Sequence, residues 1–357
     1  MVENDIYAIM LKDKDANRPP RNSSIELYRI IATFAVLIVH FNGWFLGDWP
    51  LPAYDISNPT LFRTGQMIIS AAVIICVNMF VIISGYFGIR LKLSSILKLI
   101  IYLALIYVPL YIVKCVSDHE FVLTDFIERC CVISYAGYFI QCYFMLMILS
   151  PVINAFIDKY GRGCLKWVLL FWGLEFWFDC IMEVEELGYN RGYSVIHFVL
   201  MYMIARCIKL YEDDIKRIKP WIWVLGYLLS TIVIIFSFVA GVKWCWNYSS
   251  PIVVFSSVCT FLPFLYKTFH NKVINWIASG TLAVYIIHVT NRIQTILETV
   301  DRNLLDTKSY PMYLILISVV IFITFIVSAL YGIVCNYISS RVTKGIDKKT
   351  KSVLSFE

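Results

Sequence analysis

Arg29 and His40 place a permanent cation and a proton acceptor on one apolar stretch of the chain. Ten residues separate them, IIATFAVLIV, and among these only Thr33 is not hydrophobic. In an α-helix this offset is just over three turns, so both side chains lie on one face about 16 Å apart. A guanidinium group binds phosphate, and an imidazole accepts a proton from a hydroxyl near neutral pH. The spacing therefore predicts a cation and a general base at two depths of one helix.

The composition of the chain indicates that this helix lies in a membrane. Of 357 residues, 59% are hydrophobic and only 16% are charged, which excludes the soluble globular class. An ionisable side chain in a membrane span is unfavourable unless it faces a protein interior or a water-filled cavity, and such residues mark functional sites. We therefore expect Arg29 and His40 to be functional.

Apolar stretches long enough to cross a bilayer recur along the whole sequence. We predict an all-α integral membrane protein, a bundle of about ten transmembrane helices. Residues 1–24 form an N-terminal segment without the pattern of a removable signal peptide, 25–340 the membrane domain, and 341–357 a basic tail. The connections are short, so the chemistry must take place within the bundle. The approximate limits of the spans are 25–46, 66–88, 93–113, 131–151, 165–182, 194–211, 220–241, 250–269, 273–290 and 311–340.

The positive charges give the orientation of these spans. Most of the 31 Lys and Arg residues fall in alternate loops on the same side as both termini. Because basic loops remain in the cytoplasm, we predict that both termini are cytoplasmic in the cell membrane, whether plasma or inner membrane. The net charge of +6 therefore reflects membrane topology and does not indicate a nucleic-acid partner.

Two further cations, Arg90 and Lys92, follow the second predicted span. One loop joins the first two spans, so these spans are expected to pack together and bring both cations near Arg29. Clustered Arg and Lys at a membrane entrance suit a phosphate-bearing ligand. Ordinary cytoplasmic charge explains Arg90 and Lys92 equally well.

The start of the first helix fixes the depth of its polar residues. Ser23 followed by Glu26 is a capping-box pattern, so we predict that Ser23 caps this helix. At 1.5 Å per residue, Arg29 then lies about 6 Å and His40 about 22 Å into the membrane.

The same estimate places other polar side chains at the depth of His40 or close to it. His288 reaches about 22 Å on the ninth span, and Glu175, Asp179 and His197 lie on the fifth and sixth. We predict that they form a polar chamber opening outward, together with Tyr285. The alternatives are an interfacial histidine with satisfied hydrogen bonds at His197 and a helix-bridging hydrogen bond at Glu175.

Four segments resemble the membrane acyltransferase-3 family of ten-helix O-acyltransferases. They follow one another over essentially the whole chain: ELYRIIATFAVLIVHF, VNMFVIISGYFGIR, YFIQCYFMLMILSPVIN and VYIIHV. The sequence departs from the family pattern in two places. Arg90-Leu91-Lys92 stands where the family often has Arg-x-x-Arg, and Tyr138-Phe139 replaces a Trp common near the start of the fourth span.

This resemblance implies transfer of an acyl group, usually acetyl from cytoplasmic acetyl-CoA, to a hydroxyl of a cell-surface polysaccharide or its lipid-linked precursor. It implies that His40 and Arg29 are catalytic and that Arg29, Arg90 and Lys92 bind acetyl-CoA or another acyl-CoA donor. A carboxylate such as Asp179 or Glu175 could orient His40. The expected partners are the bilayer, acyl-CoA and a glycan acceptor, with no metal.

A secondary transporter or glycan flippase is the main alternative, since its hydropathy profile is similar. It predicts internal repeats and helices broken near mid-membrane, and neither is evident in the sequence. A glycan polymerase or ligase requires a large external loop, and the loops here are short.

Overall fold

The computed structural model describes residues 21–184, 187–344 and 346. Of the segments predicted at the two ends, residues 1–20, 345 and 347–357 lie outside the described residues. The described chain is helical and contains no strand. Its helices are, in order, α1 (Ser23–Val39), α2 (Leu61–Val73), α3 (Cys76–Phe87), α4 (Leu93–Asp118), α5 (Leu123–Cys130), α6 (Val132–Tyr135), α7 (Tyr138–Tyr160), α8 (Cys164–Glu175), α9 (Val195–Leu210), α10 (Glu212–Lys216), α11 (Pro220–Val239), α12 (Pro251–Phe261), α13 (Lys272–Ala278), α14 (Thr281–Ile287), α15 (Asn291–Thr307) and α16 (Tyr310–Val342).

Several of these helices have the length and apolar surface of membrane spans. Within the described ranges, seven helical segments are long and apolar enough to cross a bilayer, or up to eight if a bent pair forms one span. On α11, the large side chains of Trp221, Leu228 and Phe236 are exposed. A helix with apolar residues on all sides and an exposed surface is suited to lipid. The architecture indicates a multi-pass membrane protein.

A helix overlaps each predicted span, but the count of suitable segments is lower than ten. One reason is α9, whose 16 residues are fewer than the roughly 20 needed to cross the hydrocarbon core. Another is that the helical run Tyr138–Ile181 is counted as one candidate span. Its two halves, α7 and α8, run in opposite directions along α9. The contacts that show this are Phe139–Phe198 and Asn154–Tyr202 for α7, and Cys164–Cys207 and Glu175–His197 for α8.

The predicted cap of α1 is wrong by one residue. Asn22 is the N-cap, and its Oδ1 accepts a hydrogen bond of 3.0 Å from the backbone N–H of Ser24. The hydroxyl of Ser23 instead donates to Asn275 Oδ1 on α13, at 2.8 Å. Asn and Ser are comparable N-caps, so a partner on a distant helix decided between them.

The C-terminal end of α1 continues as a π-helical turn, His40–Trp44. Within it, Asn42 Nδ2 donates to the backbone carbonyl of Gln66 at 2.8 Å, and Gln66 Nε2 donates to the carbonyl of Asn42 at 2.8 Å. These reciprocal bonds attach the turn to α2 and satisfy polar groups that the wider helix leaves unpaired. Such turns occur frequently at functional sites, and this one begins at His40.

Two features of the packing position the elements around α1. A Cβ on Gly85 of α3 would lie 2.6 Å from the carbonyl oxygen of Tyr202, so glycine is needed for α3 and α9 to pack this closely. At the other side of α1, the run Lys272–Ile287 is followed by α15 at an angle of 86°. His288 comes directly after α14, at this bend, and contacts His40 at the C-terminal end of α1.

Candidate active site

His40 and His288 are in direct contact. Nδ1 of His40 lies 2.7 Å from Nε2 of His288, and the two ring centroids are 4.7 Å apart. The π-helical turn and the bend after α14 bring them together across 248 positions of sequence. A distance of 2.7 Å between two ring nitrogens requires a hydrogen bond, so one of them carries the proton.

The hydrogen bonds of His288 determine which nitrogen that is. Nδ1 of His288 lies 2.6 Å from the backbone carbonyl oxygen of Val284. A carbonyl only accepts, so Nδ1 carries the proton, and Nε2 of the neutral ring is an acceptor. His40 must then donate from its Nδ1. In a neutral His40, Nε2 therefore holds the free lone pair that a general base requires.

The surroundings of the two histidines differ. His288 is fully buried, whereas His40 is half-buried. The ring of Trp44 lies edge-on to His40, with centroids 4.6 Å apart, and Trp44 is itself 44% exposed. Within the described part of the chain, Nε2 of His40 has no hydrogen-bond partner. Its basic nitrogen thus remains accessible, while its orientation is fixed by His288.

Arg29 lies at the opposite end of α1, on the wall of a cavity of about 270 Å³. Arg90 lines the same cavity, as expected from the loop between the first two spans. Lys92 is exposed and is not among the lining residues, and neither is His40. The full lining consists of Arg29, Ile83, Ser84, Phe87, Gly88, Ile89, Arg90, Ser95, Tyr143 and Met147.

The guanidinium group of Arg29 is only partly neutralised. Its Nε lies 3.2 Å from Glu26 Oε2, but the contact lacks hydrogen-bond geometry, and Nε is buried without a hydrogen-bond partner. No carboxylate in the described ranges lies within ion-pair distance of Arg90. A cavity whose wall has two guanidinium groups and an unsatisfied donor fits an anionic ligand.

A closed ring of hydrogen bonds fixes the loop that holds Arg90. The N–H of Ile89 donates to Tyr202 Oη at 2.8 Å, and Tyr202 donates to Asn154 Oδ1 at 2.8 Å. Asn154 Nδ2 donates back to the carbonyl of Ile89 at 2.9 Å. The sequence pattern does not predict this ring, although Asn154 is the last residue of the segment YFIQCYFMLMILSPVIN.

Glu175 and His197 form a separate buried pair. Nδ1 of His197 lies 3.1 and 3.2 Å from the two carboxylate oxygens, and both side chains are almost fully buried. Nε2 of His197 lies 2.8 Å from Asn78 Oδ1, whose amide nitrogen donates to the carbonyl of Tyr248. Acceptors therefore face both nitrogens of His197, so neither nitrogen is free to act as a base.

Asp179 and Tyr285 both lie outside the Glu175–His197 pair and have different neighbours. Asp179 accepts hydrogen bonds of 2.7 and 3.0 Å from the backbone N–H groups of Arg191 and Gly192, which fixes the loop before α9. Tyr285 is half-buried, and its ring centroid lies 6.4 Å from that of His288. The structure thus brings together His40, His288 and Tyr285, and separately Glu175 with His197.

Neither Asp179 nor Glu175 contacts His40, because each is fully engaged elsewhere. His288 takes the orienting position that the sequence analysis offered to a carboxylate. The predicted polar residues therefore fall into separate groups of hydrogen-bond contacts. Asn78, the amide that completes the His197 group, was missed; its signal is a strongly polar residue within the apolar run VNMFVI.

The comparisons with known proteins identify the family. The family model described as "Acyltransferase domain" matches residues 22–333, a range that includes the Arg29 cavity and both histidine pairs. No curated protein and no solved structure matches the chain.

Proposed function

The chain belongs to the acyltransferase-3 family and is a membrane acyltransferase; from this premise we propose that it moves an acetyl group from acetyl-CoA to a glycan hydroxyl. The acceptor would be a cell-surface polysaccharide or a lipid-linked glycan. The observation that supports this most is the pair His40–His288, which leaves one imidazole nitrogen free on the same helix as Arg29.

In the proposed reaction, His40 acts as the general base. Nε2 takes the proton of the acceptor hydroxyl as its oxygen attacks the thioester carbonyl, and a C–O bond forms. The C–S bond then breaks, and the departing thiolate takes a proton from the imidazolium of His40. His288 stabilises this imidazolium by accepting its Nδ1–H throughout, as its own Nδ1 stays bonded to Val284.

Arg29 and Arg90 would bind the phosphate groups of the donor. The cavity is at the small end of the range for ligand pockets, so it suits one part of a long donor. A thioester arm extending from phosphates near Arg29 must cover about 16 Å to reach His40. Lys92, exposed beside Arg90, would contribute to donor attraction at longer range.

The proposed topology has about ten spans with both termini in the cytoplasm, in the plasma or inner membrane. The Arg29 cavity then opens to the compartment that contains acyl-CoA. His40 lies in the outer half, where a glycan of the cell envelope is accessible.

A transfer assay tests this proposal. Membranes containing the protein are incubated with acetyl-CoA labelled in the acetyl group and with surface polysaccharide, and label released from the glycan by mild base is measured. We expect the His40→Ala variant to lose about 100-fold or more of the rate, the typical contribution of a general base. Arg29→Ala is expected to raise the KM for acetyl-CoA.

Two exposed residues provide matched controls. His270→Ala removes a histidine outside the site, and Arg217→Ala removes an arginine that is paired with Asp214. Both are expected to transfer label at the rate of the unaltered protein. Equal transfer by His40→Ala and His270→Ala would reject the base assignment. A transporter or flippase would relocate the glycan without base-labile label.

A further inference from the structure

Arg206 on α9 lies beside the Arg29 cavity, although its sequence position suggests only a cytoplasmic charge. A Cβ built on Gly88, a residue of the cavity wall, would lie 3.0 Å from Nη1 and 3.9 Å from Nε of Arg206. Gly88 also has a φ of +75°, which favours glycine. The absence of a side chain at this position leaves the guanidinium group against the wall of the cavity.

The guanidinium group of Arg206 has an unsatisfied donor. Its Nε is buried and has no hydrogen-bond partner, and no described carboxylate is within ion-pair distance. Nε of Arg29, a residue of the cavity wall, is likewise buried without a hydrogen-bond partner. A buried donor without a partner is unfavourable, so one on the cavity wall and one beside it indicate that a ligand supplies the acceptors.

The charge balance indicates what kind of ligand this is. Arg29 and Arg90 line the cavity and Arg206 adjoins it at Gly88, and Glu26 is the one carboxylate paired with any of them among the described residues. The cations come from three different elements, and a ligand with more than one phosphate group offers each of them acceptor oxygens in the fork geometry that guanidinium prefers.

We propose that Arg206 is a third phosphate-binding cation of this cavity and that its ligand contains at least two phosphate groups. The inference rests on the proposed function, in which these phosphates belong to the acyl-CoA donor. Arg206 is thereby a specificity residue for the phosphate-bearing part of the donor. The hydrogen-bond ring of Ile89, Tyr202 and Asn154 holds Gly88 and Arg90 in register with it.

Equilibrium binding tests the proposal with the full-length protein in nanodiscs. The probe is labelled acetyl-CoA, and acetyl-pantetheine, which has no phosphate, is the competitor. We expect Arg206→Gln to raise the Kd for acetyl-CoA about tenfold, the effect of losing one charge-assisted hydrogen bond. Arg206→Lys, which retains the charge but not the fork, should lose less. The inhibition constant of acetyl-pantetheine should not change.

The control is Arg217→Gln, which removes an exposed arginine from the loop after α10 and should bind acetyl-CoA normally. An unchanged Kd in Arg206→Gln would overturn the inference and leave the proposed function intact. An equal loss for acetyl-CoA and acetyl-pantetheine would show a structural role and overturn it too. If Arg206→Gln does not fold, the same criteria apply to Arg206→Lys.

A failure of the proposed function gives a different result. If the unaltered protein does not bind acetyl-CoA, the donor assignment is wrong, and pyrophosphate becomes the probe. Weaker pyrophosphate binding by Arg206→Gln than by Arg217→Gln would then support the phosphate site by itself. Equal binding by the two variants would overturn it.

Discussion

The pairs Glu175–His197 and His40–His288 differ in what their hydrogen bonds leave free. His197 has acceptors at both nitrogens, the carboxylate of Glu175 and the amide oxygen of Asn78. His40 has one partner, His288, which itself is fixed by a carbonyl. The first arrangement uses every polar atom to join α3, α8 and α9. The second leaves one basic nitrogen accessible.

This difference shows that depth and residue type are insufficient to identify a catalytic histidine in a membrane. Both pairs place an imidazole within the helix bundle, where an ionisable side chain is unfavourable unless it is paired or functional. Both ring nitrogens of His197 have hydrogen-bond partners, which favours a structural role for it. His40 has a hydrogen-bond partner at Nδ1 only. Its Nε2 is accessible, and the proposed chemistry takes place there.

Breaking the structural pair is expected to have the largest effect on stability. Glu175→Ala leaves His197 buried without its carboxylate, and such a loss lowers the free energy of unfolding by about 3–5 kcal/mol. Thermal unfolding in detergent measures it, with the exposed Glu120→Ala as the control. Unfolding of Glu175→Ala at the temperature of the unaltered protein would show that the pair does not join the helices.

Changing the orienting residue of the other pair should lower the rate per folded molecule. His288→Ala removes the acceptor for Nδ1 of His40, so we expect transfer to fall about tenfold, the equivalent of one hydrogen bond. His288→Gln retains an acceptor oxygen and should recover part of the rate. A normal rate in His288→Ala would mean that His40 needs no partner.

Asp301 on α15 extends the comparison to a buried acid without a full set of partners. Burial raises its pKa from 3.8 to about 7, against the opposing effects of a hydrogen bond from Tyr313 and the charge of Arg302. The folded state therefore binds a proton more tightly than the unfolded state, and this stability is lost as the pH rises from about 4 through 7. We expect a lower Tm at pH 8 than at pH 5.

The variant Asp301→Asn isolates this contribution, because the amide is neutral at both pH values. Its Tm should change less between pH 5 and pH 8 than that of the unaltered protein. An identical pH dependence in the two proteins would assign the effect to other groups.

Much of the architecture is readable from the sequence because membrane spans are set by hydrocarbon thickness. A helix overlaps each apolar stretch, and the depth estimate places His40 and His288 at the same level, in agreement with their contact. Arg29 and Arg90 were expected to be neighbours for a similar reason, since one short loop joins their helices. These are consequences of length and connectivity.

Which polar side chains at one membrane depth contact each other cannot be predicted from the sequence in this way. His197 and His288 have comparable depth, and only the packing of α9 and α14 around α1 decides which one meets His40. The sequence has no signal that places Arg206 beside Gly88, because that position depends on the close contact of α3 with α9. Asn22 is the N-cap of α1 because the hydroxyl of Ser23 donates a hydrogen bond to Asn275 on α13.

The central claim is that His40, and not His197, supplies the base. The most direct measurement is the rate of acetyl transfer by His40→Gln and His197→Gln, each normalised to the amount of folded protein. The account predicts a loss of about 100-fold or more for His40→Gln and a near-normal rate per folded molecule for His197→Gln. A normal rate in His40→Gln, or an equal loss in both variants, would contradict it.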